Sequence, residues 1–262
     1  MAKFSIDVHF KGGLTATQQA AFTRAAARWK QVIVGDFPPV RVDGELFKAL
    51  VIDASGVDID RGGTQEGNTL GQSQPTVLMS NGLPVTGMME FDRFDLGDME
   101  RDGSLESVVL HEMGHVLGIG SIWEDMRLLV GAGTANPRFL GKKADAEWAK
   151  LSKLPANRLP VENRGGEGTE DSHWRENVFG NELMTGFISG EKQPLSRMTI
   201  ASLADLGYKV SFTKADKFTL PGHLALRAMG VGASPERVRR CTLSNPKRRP
   251  IEPRRLPATA AA

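Results

Sequence analysis

One cysteine, Cys241, stands in the 262-residue chain, so no intrachain disulfide can brace it. The disulfide-scaffold class is excluded, and stability must come from a buried core, for which the length is ample. Long apolar runs are also missing. None approaches the roughly 18–20 residues that a membrane-spanning helix needs. Tyrosine occurs once and aromatic residues make up only 6% of the chain. The N-terminus, Met1-Ala2-Lys3-Phe4, runs straight into an alternating pattern. It shows neither the basic, apolar and small-residue regions of a signal peptide nor a recognisable pro-segment. The expectation is cytoplasmic residence or leaderless secretion. What remains is ordinary: 40% hydrophobic and 24% charged residues, the balance of a soluble globular protein, expected as a monomer.

The net charge of +2 conceals an asymmetry. Between Arg237 and Arg255 lie eight basic residues (Arg237, Arg239, Arg240, Lys247, Arg248, Arg249, Arg254 and Arg255) and one acid, Glu252. That stretch is therefore +7 and the remainder of the chain −5. With no aromatic residue to stack on bases, the stretch predicts no specific nucleic-acid partner.

Phe4, Ile6, Val8 and Phe10 alternate with polar residues, the period of a half-buried strand. Thr15 and Gln18 have capping-box spacing, and Phe22, Ala25, Ala26, Trp29, Val32 and Ile33 follow at helical intervals, predicting a helix over about 16–34. Further strands are expected at 49–52, 76–79 and 85–91, the last two joined by a turn at Asn81-Gly82. The Gly- and Asp-rich stretch 56–74 reads as loop. A second helix starts at Asp102 or Ser104 and ends at Gly118 or Gly120. Residues 121–172 are irregular apart from a helical pattern at 144–151. A third helix spans 199–206, closed by Gly207, and 236–262 reads as a disordered basic tail. Early strands flanked by helices indicate an α+β fold.

The chemistry concentrates at His111-Glu112-Met113-Gly114-His115, an HExxH sequence inside the second helical pattern. Residues four apart share a helix face, so both imidazoles reach one ion. Glu112, displaced by about 100° around the helix, approaches a water on that ion without being a ligand. Zinc lowers the pKa of such a water to about 7 and polarises a carbonyl; the glutamate takes the proton and returns it to the leaving amine. HExxH recurs by accident, but the apolar surroundings count against a chance match on a solvated face, because unpaired imidazoles in a core are costly. Two histidines leave the site one ligand short. In the extended pattern HExxHxxGxxH the glycine is Gly118, but the last position is Ser121. Of the other histidines, His9 lies on the polar face of the first strand, His223 reads as loop, and His173 precedes Asn181-Glu182-Leu183-Met184-Thr185-Gly186.

This arrangement resembles the leishmanolysin-like metzincins, on HExxHxxG at 111–118, a long insertion at 121–172, His173-Trp174, and Glu182-Leu183-Met184-Thr185-Gly186. The resemblance covers about residues 3–212 and includes 87–92 and 201–208. It implies a metzincin-like zincin fold with a mixed twisted sheet, His173 as the third zinc ligand, and Met184 as a packing floor beneath the metal. It also implies that 85–91 is an edge strand to which an extended peptide adds through main-chain hydrogen bonds, making Gly87, Met88 and Met89 candidate substrate contacts. Eukaryotic members of the family are disulfide-rich and carry a signal and a pro-segment with a blocking thiol. With one cysteine and neither segment visible, this chain is similar to a compact, bacterial-type member. Cys241 reads as a bystander in the tail rather than an inhibitory thiol.

Competing readings stay on the page. Gly168-Thr169-Glu170-Asp171 matches the start of the GTxD segment of the aspzincins, making Asp171 a rival third ligand. Glu124 and Glu147 are acids without the expected helical motif. Asp92, Asp95, Asp98, Glu100 and Asp102 lack EF-hand spacing and read as a solvated acidic loop rather than a calcium site. Tyr208 reads as core. The organisation expected is an N-terminal subdomain at 1–120 with the zinc helix, a C-terminal subdomain at 121–235 with the third histidine and the methionine turn, and the tail at 236–262. The function expected is a zinc-dependent endopeptidase. The alternatives are a zinc-stabilised module that binds peptides without cutting them and a hydrolase of small amides.

Overall fold

The computed structural model describes residues 2–61, 68–155, 158–188, 193–222, 239–242 and 252–257. Its principal sheet has seven strands: β1 (Ile6–Phe10), β2 (Leu50–Val57), β3 (Asn68–Leu78), β4 (Pro84–Asp92), β5 (Phe187–Ile188), β6 (Arg239–Thr242) and β7 (Arg254–Arg255). The order is β5-β6-β3-β4-β2-β1, with β7 beside the far end of β3. β1, β2 and β4 run parallel, whereas β3 is antiparallel to β4, so the sheet is mixed. The helices are α1 (Ala16–Val32), α2 (Leu96–Asp102), α3 (Leu105–Val116), α4 (Lys142–Ser152), α5 (Glu176–Phe179) and α6 (Arg197–Leu206). The architecture is mixed α+β. No helix among the described residues is long and apolar enough to cross a membrane.

α1 forms as its sequence dictates. Thr15 accepts from the Gln18 amide while the Gln18 side chain accepts from the Thr15 amide, a complete capping box. Its apolar stripe of Phe22, Ala25, Trp29 and Val32 is buried. Trp29 also donates its indole N–H to the Leu110 carbonyl of α3 at 3.0 Å. α1 and α3 thus lock together, with Phe22 set edge-on against Phe91 of β4 at 5.2 Å.

Beyond α3 a second cluster forms around Trp174, with Trp123 at 4.7 Å and Phe139 at 5.5 Å. Trp148 of α4 joins it through Phe179. α4 begins at Gly141, which has no side chain to cap it. The carboxylate of Asp205 on α6 does so instead, accepting from the amides of Lys143 and Ala144. A Cβ on Gly141 would lie 2.3 Å from that carboxylate, so the glycine makes room for its own cap.

Four expectations change. The stretch read as loop at 56–74 contains the first half of β3. Gly71 to Gln74 lie antiparallel to Phe91 to Met88, and main-chain pairing outweighs their weak strand propensity. The acidic segment read as a solvated loop is largely helix α2, and Asp92 and Asp95 are buried. Asp92 accepts from the amides of Asp60, Arg61 and Phe94, so it organises chain rather than facing water. β4 is not an edge strand. Its main chain pairs with β2 on one side and β3 on the other, so Gly87, Met88 and Met89 have no ladder groups left for a substrate. Last, Arg239–Thr242 and Arg254–Arg255 of the expected disordered tail lie parallel to β3. The outer edge of β3 offers unpaired amides and carbonyls, a template that composition alone does not reveal.

Thr15→Ala removes one half of the capping box. It is expected to lower stability by about 1 kcal/mol, read as a shifted denaturant midpoint with an unchanged slope.

Candidate metal centre

α3 carries His111 and His115 on its inner face, and both are fully buried. The residue between them that touches the neighbouring chain is Gly114. A Cβ there would fall 2.8 Å from the sulfur of Met184, so the glycine leaves that side chain room against the helix. The helix ends through Gly118 in the left-handed region (φ 107°), whose amide bonds to the His115 carbonyl. Ser121, where the extended motif would have its third histidine, donates its hydroxyl to the same carbonyl at 2.6 Å.

His173 arrives from 58 residues further along the chain. Its segment is clamped from both sides. The Glu162 amide donates to the His173 carbonyl, and the Asp171 amide to the Glu162 carbonyl. The buried Glu162 carboxylate accepts from the amides of Asn163, Arg164 and Glu176. Trp174 packs on Trp123, just past the end of α3. Gly120 (φ 78°) meets the Ser172 carbonyl so closely that a Cβ would lie 2.0 Å from the oxygen.

The three imidazoles meet through Nε2. The separations are 2.9 Å between His111 and His115, 3.0 Å between His115 and His173, and 3.2 Å between His111 and His173. Each Nδ1 faces a main-chain carbonyl: Leu183 at 2.6 Å for His111, Ile119 at 2.8 Å for His115 and Thr169 at 2.9 Å for His173. A carbonyl only accepts, so each Nδ1 is the protonated nitrogen and each Nε2 presents a lone pair. Three lone pairs thus converge between buried rings, where they repel one another unless a cation lies between them. Burial is the main reason the pKa values fall, to about 4 for His111, about 3 for His173 and well below the ordinary value for His115. Neutral rings with a carbonyl behind each are the form that binds a metal. Tetrahedral bonds of about 2.0–2.1 Å put neighbouring nitrogens about 3.3 Å apart, so the triangle fits a zinc-sized ion after a slight expansion. Among the described residues the other three-residue group with ligand spacing is Asp60, Asp92 and Asp95, all oxygen donors.

Glu112 is also fully buried. Ser73 of β3 places its hydroxyl 2.6 Å from Glu112 Oε2 and 2.7 Å from the Glu112 carbonyl oxygen. Ser73 lies in the stretch read as loop, where no local pattern marks it. Gly71, two residues earlier, would carry a Cβ 3.3 Å from Glu112 Cγ, so the small residues of β3 admit the acid.

The other candidates lie apart from this centre. Asp171 accepts from the Gly133 amide at 2.7 Å and is absent from the histidine cluster. Glu124 is exposed, and Glu147 bridges Arg197 and Lys150. His9 is exposed beside Asp53. Tyr208 donates to the Leu117 carbonyl and packs edge-on against Phe4 in the core. His223 lies outside the described residues, as does the side chain of Cys241, whose backbone forms part of β6.

The lowered histidine pKa values set a pH dependence. Between about 4 and 6.5 the unfolded chain holds protons on these rings and the native chain does not, so stability rises with pH across that window. Metal-stripped protein is expected to hold a constant Tm from pH 8 to 7 and to lose it steadily as pH falls from 6.5 towards 4. Thermal melts in chelator check this; a flat profile through that window contradicts it.

The family model described as leishmanolysin matches residues 63–225, more than half of the chain, and takes in all three histidines, Glu112 and Met184. Two curated relatives, each called "Leishmanolysin-like peptidase", from Caenorhabditis elegans and Caenorhabditis briggsae, are 44% identical over 48 residues. Those matches cover 18% of this chain and 7% of each relative, so the likeness spans a small part of much longer proteins. On the breadth of the family match, the chain belongs to the leishmanolysin family of metallopeptidases.

Proposed function

We propose that this chain is a zinc-dependent endopeptidase with His111, His115 and His173 as the metal ligands and Glu112 as general base. The observation that carries the reading is the convergence of three imidazole Nε2 atoms within 3.2 Å, each ring held by a carbonyl at Nδ1. A set of three neutral nitrogens without thiolate suits catalytic zinc, which keeps its fourth position open. When bound, the ion supplies Lewis acidity and a water of pKa about 7.

The chain's own groups supply the rest. Glu112, one residue beyond His111 on α3, accepts a proton at its carboxylate and delivers it to the departing amine. The Ser73 hydroxyl holds that carboxylate to β3 and restricts its rotation, so the base meets the substrate already oriented. Met184, packed on Gly114, forms an apolar floor under the two helical histidines and acts as a methionine turn without ligating. The substrate is a peptide or protein lying in a cleft between an N-terminal subdomain, 1–120, and a C-terminal one, 121–235.

Two experiments test this reading. Glu112→Ala is expected to retain one zinc per chain while kcat/KM on a quenched peptide falls about 10²–10⁴-fold. Ser73→Ala should lose activity in the same direction by a smaller factor. Full activity in Glu112→Ala would refute the general-base role. A peptide that binds the wild type and is never cut would establish the non-catalytic alternative instead. Separately, His173→Ala should leave less than one zinc per chain by metal analysis, and His9→Ala should leave the content untouched. Equal content in both variants removes His173 from the ligand set.

A further inference from the structure

Glu182 is a fully buried carboxylate that the chemistry above does not use. Its Oε2 accepts the Met184 amide at 2.7 Å, and its Oε1 accepts the Ser196 amide at 3.1 Å and the hydroxyl of Thr199. The last two donors belong to the N-terminus of α6, whose dipole favours a negative charge there. Burial pushes this carboxyl up from its ordinary range, and the hydrogen bonds from Thr199, Ser196 and Met184 oppose that rise.

The direction of the bonding is fixed by chemistry. The Trp174 indole N–H, which can only donate, points to Thr199 Oγ1 at 2.8 Å. The Thr199 hydroxyl accepts there and donates its own proton onward to the Glu182 carboxylate. A relay runs from the residue after His173, through Thr199, to a carboxylate that grips the amide of Met184. Between Glu182 and Met184 lies Leu183, whose carbonyl holds Nδ1 of His111 at 2.6 Å. The Met184 carbonyl in turn accepts the Trp174 amide at 2.9 Å.

We propose that Glu182 is a positioning residue for the metal centre, one carboxylate that sets the relative placement of His111 and His173 through Leu183 on one side and Trp174 on the other. The proposal rests on the metal-ligand reading above. His115 takes its carbonyl from Ile119, beyond the end of its own helix, and is not reached by this frame. The role needs an acceptor at both oxygens. A glutamine here would turn an NH2 group toward an N–H or O–H donor and break one arm of the frame.

The test measures zinc affinity in the full chain by competition with a chromophoric chelator, alongside Tm. Glu182→Gln is expected to weaken zinc about 10–100-fold, the usual effect of removing an outer-shell partner. Thr199→Val keeps the shape, removes the relay hydroxyl and should shift affinity the same way by less; it decides the matter if Glu182→Gln does not fold. The cobalt-substituted protein should show a changed visible band in both variants. Thr15→Ala, at the distant cap of α1, is the control: it loosens the fold and should leave zinc affinity unchanged. Folded variants that bind zinc as tightly as the wild type overturn the proposal. So does an affinity loss that Thr15→Ala reproduces at equal loss of Tm, because that marks general loosening. A wild-type chain that takes up no stoichiometric zinc sinks the ligand reading itself and this proposal with it.

Discussion

Three imidazole nitrogens, each carrying a lone pair, are held within about one hydrogen-bond length of each other on fully buried rings. Brought together by apolar packing alone, such groups would part or acquire protons, since unpaired polar groups in a low-dielectric interior are costly. The chain prevents both. Carbonyls of Leu183, Ile119 and Thr169 take the Nδ1 protons, and burial drives the ring pKa values far below neutrality. The protein is thus built around a repulsive centre that becomes attractive only with a cation inside. Folding, which assembles this ligand set, and metal binding are therefore linked.

That constraint explains features which look incidental one at a time. Gly114 is small because Met184 needs the space, and Gly120 is small because the Ser172 carbonyl does. Each glycine lets a remote segment reach the end of α3, the first beneath the histidines and the second beside them. The Trp123–Trp174 contact then fixes the depth at which His173 arrives, and the Glu162 clamp fixes the angle. Loss of any one of these leaves two histidines of α3 in place, since both belong to one rigid helix. It frees the third, which depends on contacts spanning most of the insertion.

How much of this was legible follows from distance along the chain. The HExxH helix, its glycine stop, the capped first helix and the Asn81-Gly82 turn are local patterns, and each lies where the residues place it. His173 is not local. Its own residues left Asp171 as a rival, and only the family resemblance singled it out. Ser73 had no sequence signature, and Glu182 stood only as the first residue of the methionine-turn segment with no role of its own, because each acquires meaning from partners 39 and 17 residues away. The edge-strand error has the same origin. Nothing within 85–91 records that both β2 and β3 pair with it, and the part of β3 opposite Met88 to Phe91 is too rich in glycine and glutamine to read as a strand.

The placement of β3 ties the sheet to the metal centre. β4 is closed on both sides by β2 and β3, and β3 supplies the Ser73 hydroxyl to Glu112. Its outer edge carries β6, and β6 in turn pairs with β5, which directly follows the Met184 segment. The strand carrying Cys241 therefore spans the space between the sheet and the chain that floors the metal centre. Strand pairing depends on backbone groups and not on side chains, so a basic, proline-rich composition did not prevent Arg239–Thr242 from joining the sheet, and composition alone could not reveal it.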